Sequence, residues 1–203
     1  SVDGVAPTEE TVADGSYKVS RPFELMYDET ALAENDLLAE FIEYLKSSDA
    51  QDVIAEEGYV SVVEDAPAYA APAEALTVTE ITATGSTSVG PLMTKLAEDF
   101  ASLVKTANNQ DVSVRVSGGG SGQGIKDANE GNSDIGMASK EVTDGTDITN
   151  EDVTIYQLCA DGIAVIVNTA NPATNITLEN LTKVYTDSSL NWIDIGVEFP
   201  VEE

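Results

Sequence analysis

Thr84-Gly85-Ser86-Thr87-Ser88-Val89-Gly90 and Ser117-Gly118-Gly119-Gly120-Ser121-Gly122-Gln123-Gly124 decide how this chain is read. The first ends an apolar, β-branched run, Val78 to Ala83. The second ends another, Val112 to Val116. Each opens at once into a helical pattern, Pro91 to Lys105 and Gly124 to Asn129. A strand that stops in small residues where a helix starts leaves backbone N–H groups without acceptors. The helix dipole adds partial positive charge at the same end. Two such turns, rich in hydroxyls, point to a tetrahedral oxyanion as ligand.

Outward from these turns, strand and helix alternate. A short strand, Asp134 to Met137, is followed by an acidic loop, Glu141 to Asp152. A long apolar strand, Ile155 to Val167, and a helix, Leu178 to Tyr185, come next. The alternation predicts a parallel sheet covered on both faces, with ligands beyond the carboxyl ends of its strands.

Upstream, residues 1–16 are turn-rich, and Tyr17 to Tyr27 reads as a strand. Pro22 places that strand at an edge or an irregularity. Leu37, Leu38, Phe41, Ile42 and Leu45 recur at helical spacing. Ser48-Asp49-Ala50-Gln51 reads as a capping box for a second helix, which Gly58 stops, and Tyr59 to Val63 as a short strand. Glu64 to Ala75 has no period and reads as a linker. Neither flanking segment carries enough apolar surface to cover both faces of a sheet. Residues 1–63 and 77–203, joined by linker 64–76, are therefore expected to build one domain.

The chain has 203 residues and a net charge of −28. Lys18, Arg21 and Lys46 lie before residue 76 and six basic residues after it, so no basic stripe exists. Nucleic acid and anionic membrane are not the expected partners. Such a charge also cannot draw an anion in, so capture falls to local dipoles and hydrogen bonds. The chain has no histidine, which removes Ser–His–Asp and Cys–His catalysis and the commonest zinc ligand. Cys159, the lone cysteine, sits in an apolar strand and reads as a small buried hydrophobe. No metal, cofactor or enzymatic activity is expected. Residues 118–124 lack the Gly-Lys-Ser/Thr of a Walker A loop. Gln123 breaks both the dinucleotide fingerprint and Gly-x-Ser-x-Gly. No secretory leader or membrane-spanning run is evident in the sequence.

Asp134 to Lys140 ends a strand in Ser139-Lys140, a hydroxyl donor beside a cation. A surface lysine after a strand is the plainer reading. Asp161-Gly162 reads as a turn, and Arg21 as a partner in a structural ion pair.

Taken together, Thr82 to Leu92 (TATGSTSVGPL), Gly118 to Lys126 (GGGSGQGIK), Asp134 to Ser139 (DIGMAS), Asp161 to Asn168 (DGIAVIVN) and Asn191 to Gly196 (NWIDIG) resemble one family. In order and spacing they are similar to the N-terminal half of phosphate-binding proteins of bacterial ABC transporters, class II solute-binding proteins. Val2 to Thr8, Ser20 to Phe23 and Asp49 to Val60 resemble that family's C-terminal end, but here they come first. The resemblance implies one lobe of a two-lobed clamp, circularly permuted: a three-layer α/β domain with a mixed, mostly parallel sheet. Linker 64–76 would join the old ends, and ~13 extended residues reach roughly 40 Å. The second lobe, with the Gly-Ser-Gly-Thr-Arg type motif that supplies the clamp's arginine, has no counterpart here.

By the same resemblance Ser86 and Thr87 in the first turn, Ser121 and Gly122 in the second, and Ser139 would contact phosphate. Lys140 stands where family members carry aspartate or arginine. The implied partners are inorganic phosphate or a similar oxyanion, a membrane permease, and a second copy across the exposed inter-lobe face. The implied location is the cell surface or periplasm. An interaction, scaffold or sensory module that keeps the fold without strong ligand binding is the alternative.

Overall fold

A computed structural model describes residues 1–63, 65–171 and 173–187. The motif Asn191 to Gly196 and residue 64 of the linker lie outside the described residues. Among the described residues five strands form one mixed sheet: β1 (Ser20–Asp28), β2 (Glu80–Gly85), β3 (Ser113–Gly118), β4 (Ile135–Ala138) and β5 (Val153–Gly162), in the order β3-β2-β4-β1-β5. β2 runs parallel to β3, from Glu80↔Ser113 to Gly85↔Gly118, and parallel to β4, from Ala83↔Ile135. β1 is antiparallel to β4, with Glu24↔Ala138 and Met26↔Gly136. The sheet is thus the mixed α/β sheet that the resemblance implies, not the wholly parallel one the alternation alone predicts, and of the strand read at Tyr17 to Tyr27 the part from Ser20 lies inside it. Pro22 is tolerated in this inner strand because the ladder with β4 begins only at Glu24.

β1 is buried from Phe23 to Tyr27, and its two faces feed two cores. Phe23, Leu25 and Tyr27 join Leu37, Leu38 and Phe41 of α3 (Asp36–Leu45), Ile54 of α4 (Ser48–Glu56), and Leu92, Leu96 and Phe100 of α5 (Gly90–Asn108). Met26 faces the other way, against Ile125 and Ala128 of α6 (Ser121–Glu130), with Ala138, Val142, Ile148 and Val153. Period-two alternation places these residues on opposite faces, so the sheet sits between two helical layers.

Several local expectations shift. The cap of α4 is Ser47, whose Oγ accepts from the Ala50 N–H; the side chain of Gln51 instead donates to the Leu45 carbonyl and accepts from Ser61. Tyr59 to Val63 makes only an isolated bridge, Val60↔Ala160. Two short helices were not predicted, α1 (Glu9–Ala13) and α2 (Glu29–Glu34). Each is fixed by a local cap, Thr8 with Thr11 for α1 and Asp28 for α2. The long apolar strand stops at Gly162, where a side chain would strike Val12.

Residues 65–76, read as linker, form a pinned strap together with Thr77 and Val78. The Pro67 carbonyl accepts from Ser48 N–H, and Tyr69 N–H donates to Asp49. The Tyr69 ring packs on Tyr44 and Phe100, and its hydroxyl donates to Glu40. Asn108 holds the Pro72 and Glu74 carbonyls, and Gln110 brackets Leu76. Asp36 accepts from the N–H groups of Thr77 and Val78 and from the Thr77 hydroxyl.

By compactness the chain divides into Ser1–Ser20 with Asp161 onward, and Arg21–Ala160. Each unit draws on both sequence segments. In the smaller one Tyr17 is buried and donates to the Ile163 carbonyl. Asp3 N–H donates to the Ile176 carbonyl, and α7 (Leu178–Thr186) starts on a Thr177 cap. Among the described residues no helix is long and apolar enough to cross a membrane.

Candidate functional site

Three strands of the larger unit end side by side. β2 ends at Gly85, β3 at Gly118 and β4 at Ala138. Parallel pairing of β2 with both neighbours brings the turns that follow to one sheet edge.

Glycines set how closely these turns approach. Gly85 has φ +134, and a Cβ there would collide with the Met137 carbonyl and lie 2.8 Å from Gly124 Cα. A Cβ on Gly124 would strike the Met137 backbone from above, and one on Gly136 the Gly124 carbonyl. The first turns of α6 therefore lie backbone to backbone on the sheet, which brings the helix N-terminus against the strand ends. Asp127, 8% exposed, fastens α6 there by accepting from Thr84 Oγ1 (2.7 Å) and Gln123 Nε2 (2.6 Å). The sequence reading missed this packing role. The glycines stood inside the quoted motifs, but nothing in a sequence shows which neighbour a missing side chain would meet.

The site serines meet at the centre. Ser86 donates to Ser139 Oγ at 3.0 Å, and Ser121 and Ser139 hydroxyls lie 3.4 Å apart. Ser139 N–H donates to Ser121 Oγ at 3.1 Å. Ser86 Oγ also accepts from the N–H groups of Ser88 and Val89. Three hydroxyl protons share two hydroxyl–hydroxyl contacts, so one O–H is left over. Thr87 lies against the second turn, its Cγ2 3.0 Å from where a Gly118 Cβ would stand. Among the described residues, nothing accepts from the backbone N–H groups of Thr87, Ser121 and Gly122. The N-cap position of α6 is Gly120, φ +85, which offers no side-chain cap. The edge is therefore rich in donors, with an uncapped helix dipole behind it.

Lys140 sits differently. Its Nζ lies 3.2 Å from Asp147 Oδ1, and its side chain is half exposed. The N–H of Thr143 and the Lys140 ammonium hold the Asp147 carboxyl below its usual value. Among the described residues no group of His, Cys, Asp and Glu could hold a metal ion.

A family model described as the PBP superfamily domain matches residues 70–202. The chain belongs to the PBP superfamily. Among its similar superfamily relatives is the phosphate-binding protein PstS 2 of Streptococcus agalactiae serotype V, 32% identical over 195 residues. That match covers 96% of this chain and 62% of the relative. PstS 2 of Streptococcus pneumoniae serotype 4 is 30% identical over 193 residues, covering 94% of the chain and 61% of the relative. A crystal structure of a phosphate ABC transporter phosphate-binding protein from S. pneumoniae TIGR4 superimposes with a TM-score of 0.82 at 30% identity, covering 96% of this chain and 70% of that one. The resemblance to PstS-like phosphate-binding proteins read from the motifs thus holds. The chain spans less than two thirds of the length of these curated relatives.

Proposed function

We propose that the chain binds inorganic phosphate at the edge formed by Ser86, Thr87, Ser121, Gly122, Ser139 and Lys140. One observation carries the reading: a surplus hydroxyl proton and three unclaimed backbone N–H groups share one edge. Hydrogen bonds from such groups to a charged acceptor contribute about 1.5–3 kcal/mol each. The names of the superfamily relatives support phosphate over other oxyanions.

The finer reading is that this is one lobe carrying half of a clamp site, in permuted order, with 64–76 joining the old ends. The other half and a membrane permease would belong to the full-length protein at the cell surface or in the periplasm. A single lobe cannot enclose the anion, so water competes and affinity is weak, about millimolar. The role is binding, not catalysis. A homodimer through the exposed inter-lobe face belongs to the same proposal, and sedimentation tests it. One observation favours the scaffold alternative: Asp147 already holds the Lys140 ammonium.

A phosphate titration followed by amide NMR decides. Shifts confined to Gly85–Thr87, Gly120–Gly122 and Ser139–Lys140 are expected. A titration that leaves these amides unmoved at 50-fold above millimolar phosphate would overturn the binding reading in favour of the scaffold one.

A further inference from the structure

Glu24 is a carboxylate on an inward-facing position of the sheet. It alternates with Met26 on the α6 side of β1 and is 8% exposed. Its strand partner is Ala138, the residue before Ser139. Antiparallel partners have Cα atoms about 5 Å apart, and the next residue lies about 3.8 Å further on. Oε2 accepts from the Val142 N–H at 2.7 Å, so Glu24 closes the Ser139–Val142 turn from below. Oε1 takes no hydrogen bond from the described residues.

The charged surroundings are few. Burial pushes the Glu24 carboxyl above its ordinary 4.5; Glu141 and Asp147 act in the same direction, while the Val142 N–H and Lys140 act against it. β4 (IGMA) has no ionisable side chain, and Val153 and Ile155 of β5 are apolar on this side. α6 presents Ile125 and Ala128; its Asp127 is committed to Thr84 and Gln123, and its Lys126 faces Glu130. Asp147, held low by Thr143 and Lys140, keeps its charge in the range where Glu24 changes.

We propose that Glu24 is a proton-linked control on the oxyanion site. Ionised, it places a buried negative charge against the turn that carries Ser139 and weakens anion binding. The proton enters on Oε1, the oxygen without a partner, and leaves Oε2 still accepting from Val142. Protonation thus removes the repulsion without releasing the turn. The inference rests on the phosphate-site reading above. At about 10 Å and an effective dielectric between protein and water, one unit charge changes an anion's affinity about three- to tenfold.

The test compares wild type with Glu24→Gln, which keeps the shape and an acceptor for Val142. Phosphate affinity is measured by NMR from pH 5 to pH 8, and the ratio of the two cancels the anion's own protonation. The ratio should fall toward one as the pH is lowered and be largest at pH 8, where it favours E24Q about three- to tenfold. A ratio that stays at one, or favours wild type, overturns the proposal. A second readout needs no variant. In wild type, saturating phosphate should raise the midpoint of the Glu24 carboxyl 13C titration by about half to one pH unit, because linkage is reciprocal. An unmoved midpoint overturns it as well. Absence of phosphate binding by both proteins at every pH would bring down the site itself, a failure distinguishable from a bound but pH-blind site.

Discussion

The two Gly/Ser turns resemble each other in sequence but make different use of the same chemistry. In the first, Ser86 is buried and its hydroxyl folds back on the turn, accepting from Ser88 and Val89 while it donates to Ser139. In the second, Gly120 opens α6 with no side-chain cap, and the N–H groups of Ser121 and Gly122 stay unclaimed. The first turn commits the N–H groups of Ser88 and Val89 to its own structure and leaves only that of Thr87 unclaimed; the second leaves those of both Ser121 and Gly122. The difference is one of placement. A serine two or three residues before the free N–H groups can fold back on them, and a glycine at that point cannot.

The comparison breaks most severely at Gly124, whose missing side chain lets α6 touch the sheet. Gly124→Ala should lose about 3 kcal/mol or more of stability, seen as a fall of roughly 10 °C in thermal melting. A melting point within 2 °C of wild type would mean that α6 relaxes at no cost. Next, Ser121→Ala should weaken phosphate binding by about 1.5–3 kcal/mol and leave melting nearly unchanged. Ser86→Ala should show the reverse balance, losing roughly 1 kcal/mol of stability with its hydrogen bonds to the turn and less affinity than Ser121→Ala. Equal affinity losses would erase the distinction between the turns. The smallest effect is that of Lys140→Ala, a two- to threefold loss of affinity at low salt that fades near 1 M, where the screening length is about 3 Å. A loss that survives high salt would show a direct hydrogen bond instead.

The strap adds a pH test of its own. Burial pushes the Asp36 carboxyl up, but hydrogen bonds from Thr77, Val78 and Leu37 outweigh that and hold it below 3.8. Its contribution is therefore present above pH 3.8 and is lost as the pH falls through the lower folded value. Asp36→Asn should flatten that part of the acid unfolding curve.

The sequence was most legible where periodicity and turn chemistry agree. The strands read as far as Ala83 and Val116, which run on to Gly85 and Gly118, the helix opening at Pro91 and the apolar face of α3 all follow from local pattern. α6 starts at Ser121, three residues before the predicted Gly124, because a Gly/Ser stretch has no apolar period to mark a helix turn. The strap was illegible for a different reason. Its order comes from Asp36, Asp49, Asn108 and Gln110, far along the chain, and composition is blind to such partners. At the site, the serines were legible as donors. Their mutual contact was not, since it depends on the register of three strands.

β1 lies between β4 and β5, yet it precedes both of them along the chain. After Asp28, its last residue, residues 29–134 must all be made before Ile135 opens β4. At about 5–20 residues per second that is roughly 5–20 s. For that time Phe23, Leu25, Met26 and Tyr27 belong to a nascent chain with neither strand neighbour yet made. Chaperone attendance on the growing polypeptide is the demand that this sheet order places on the cell that makes it.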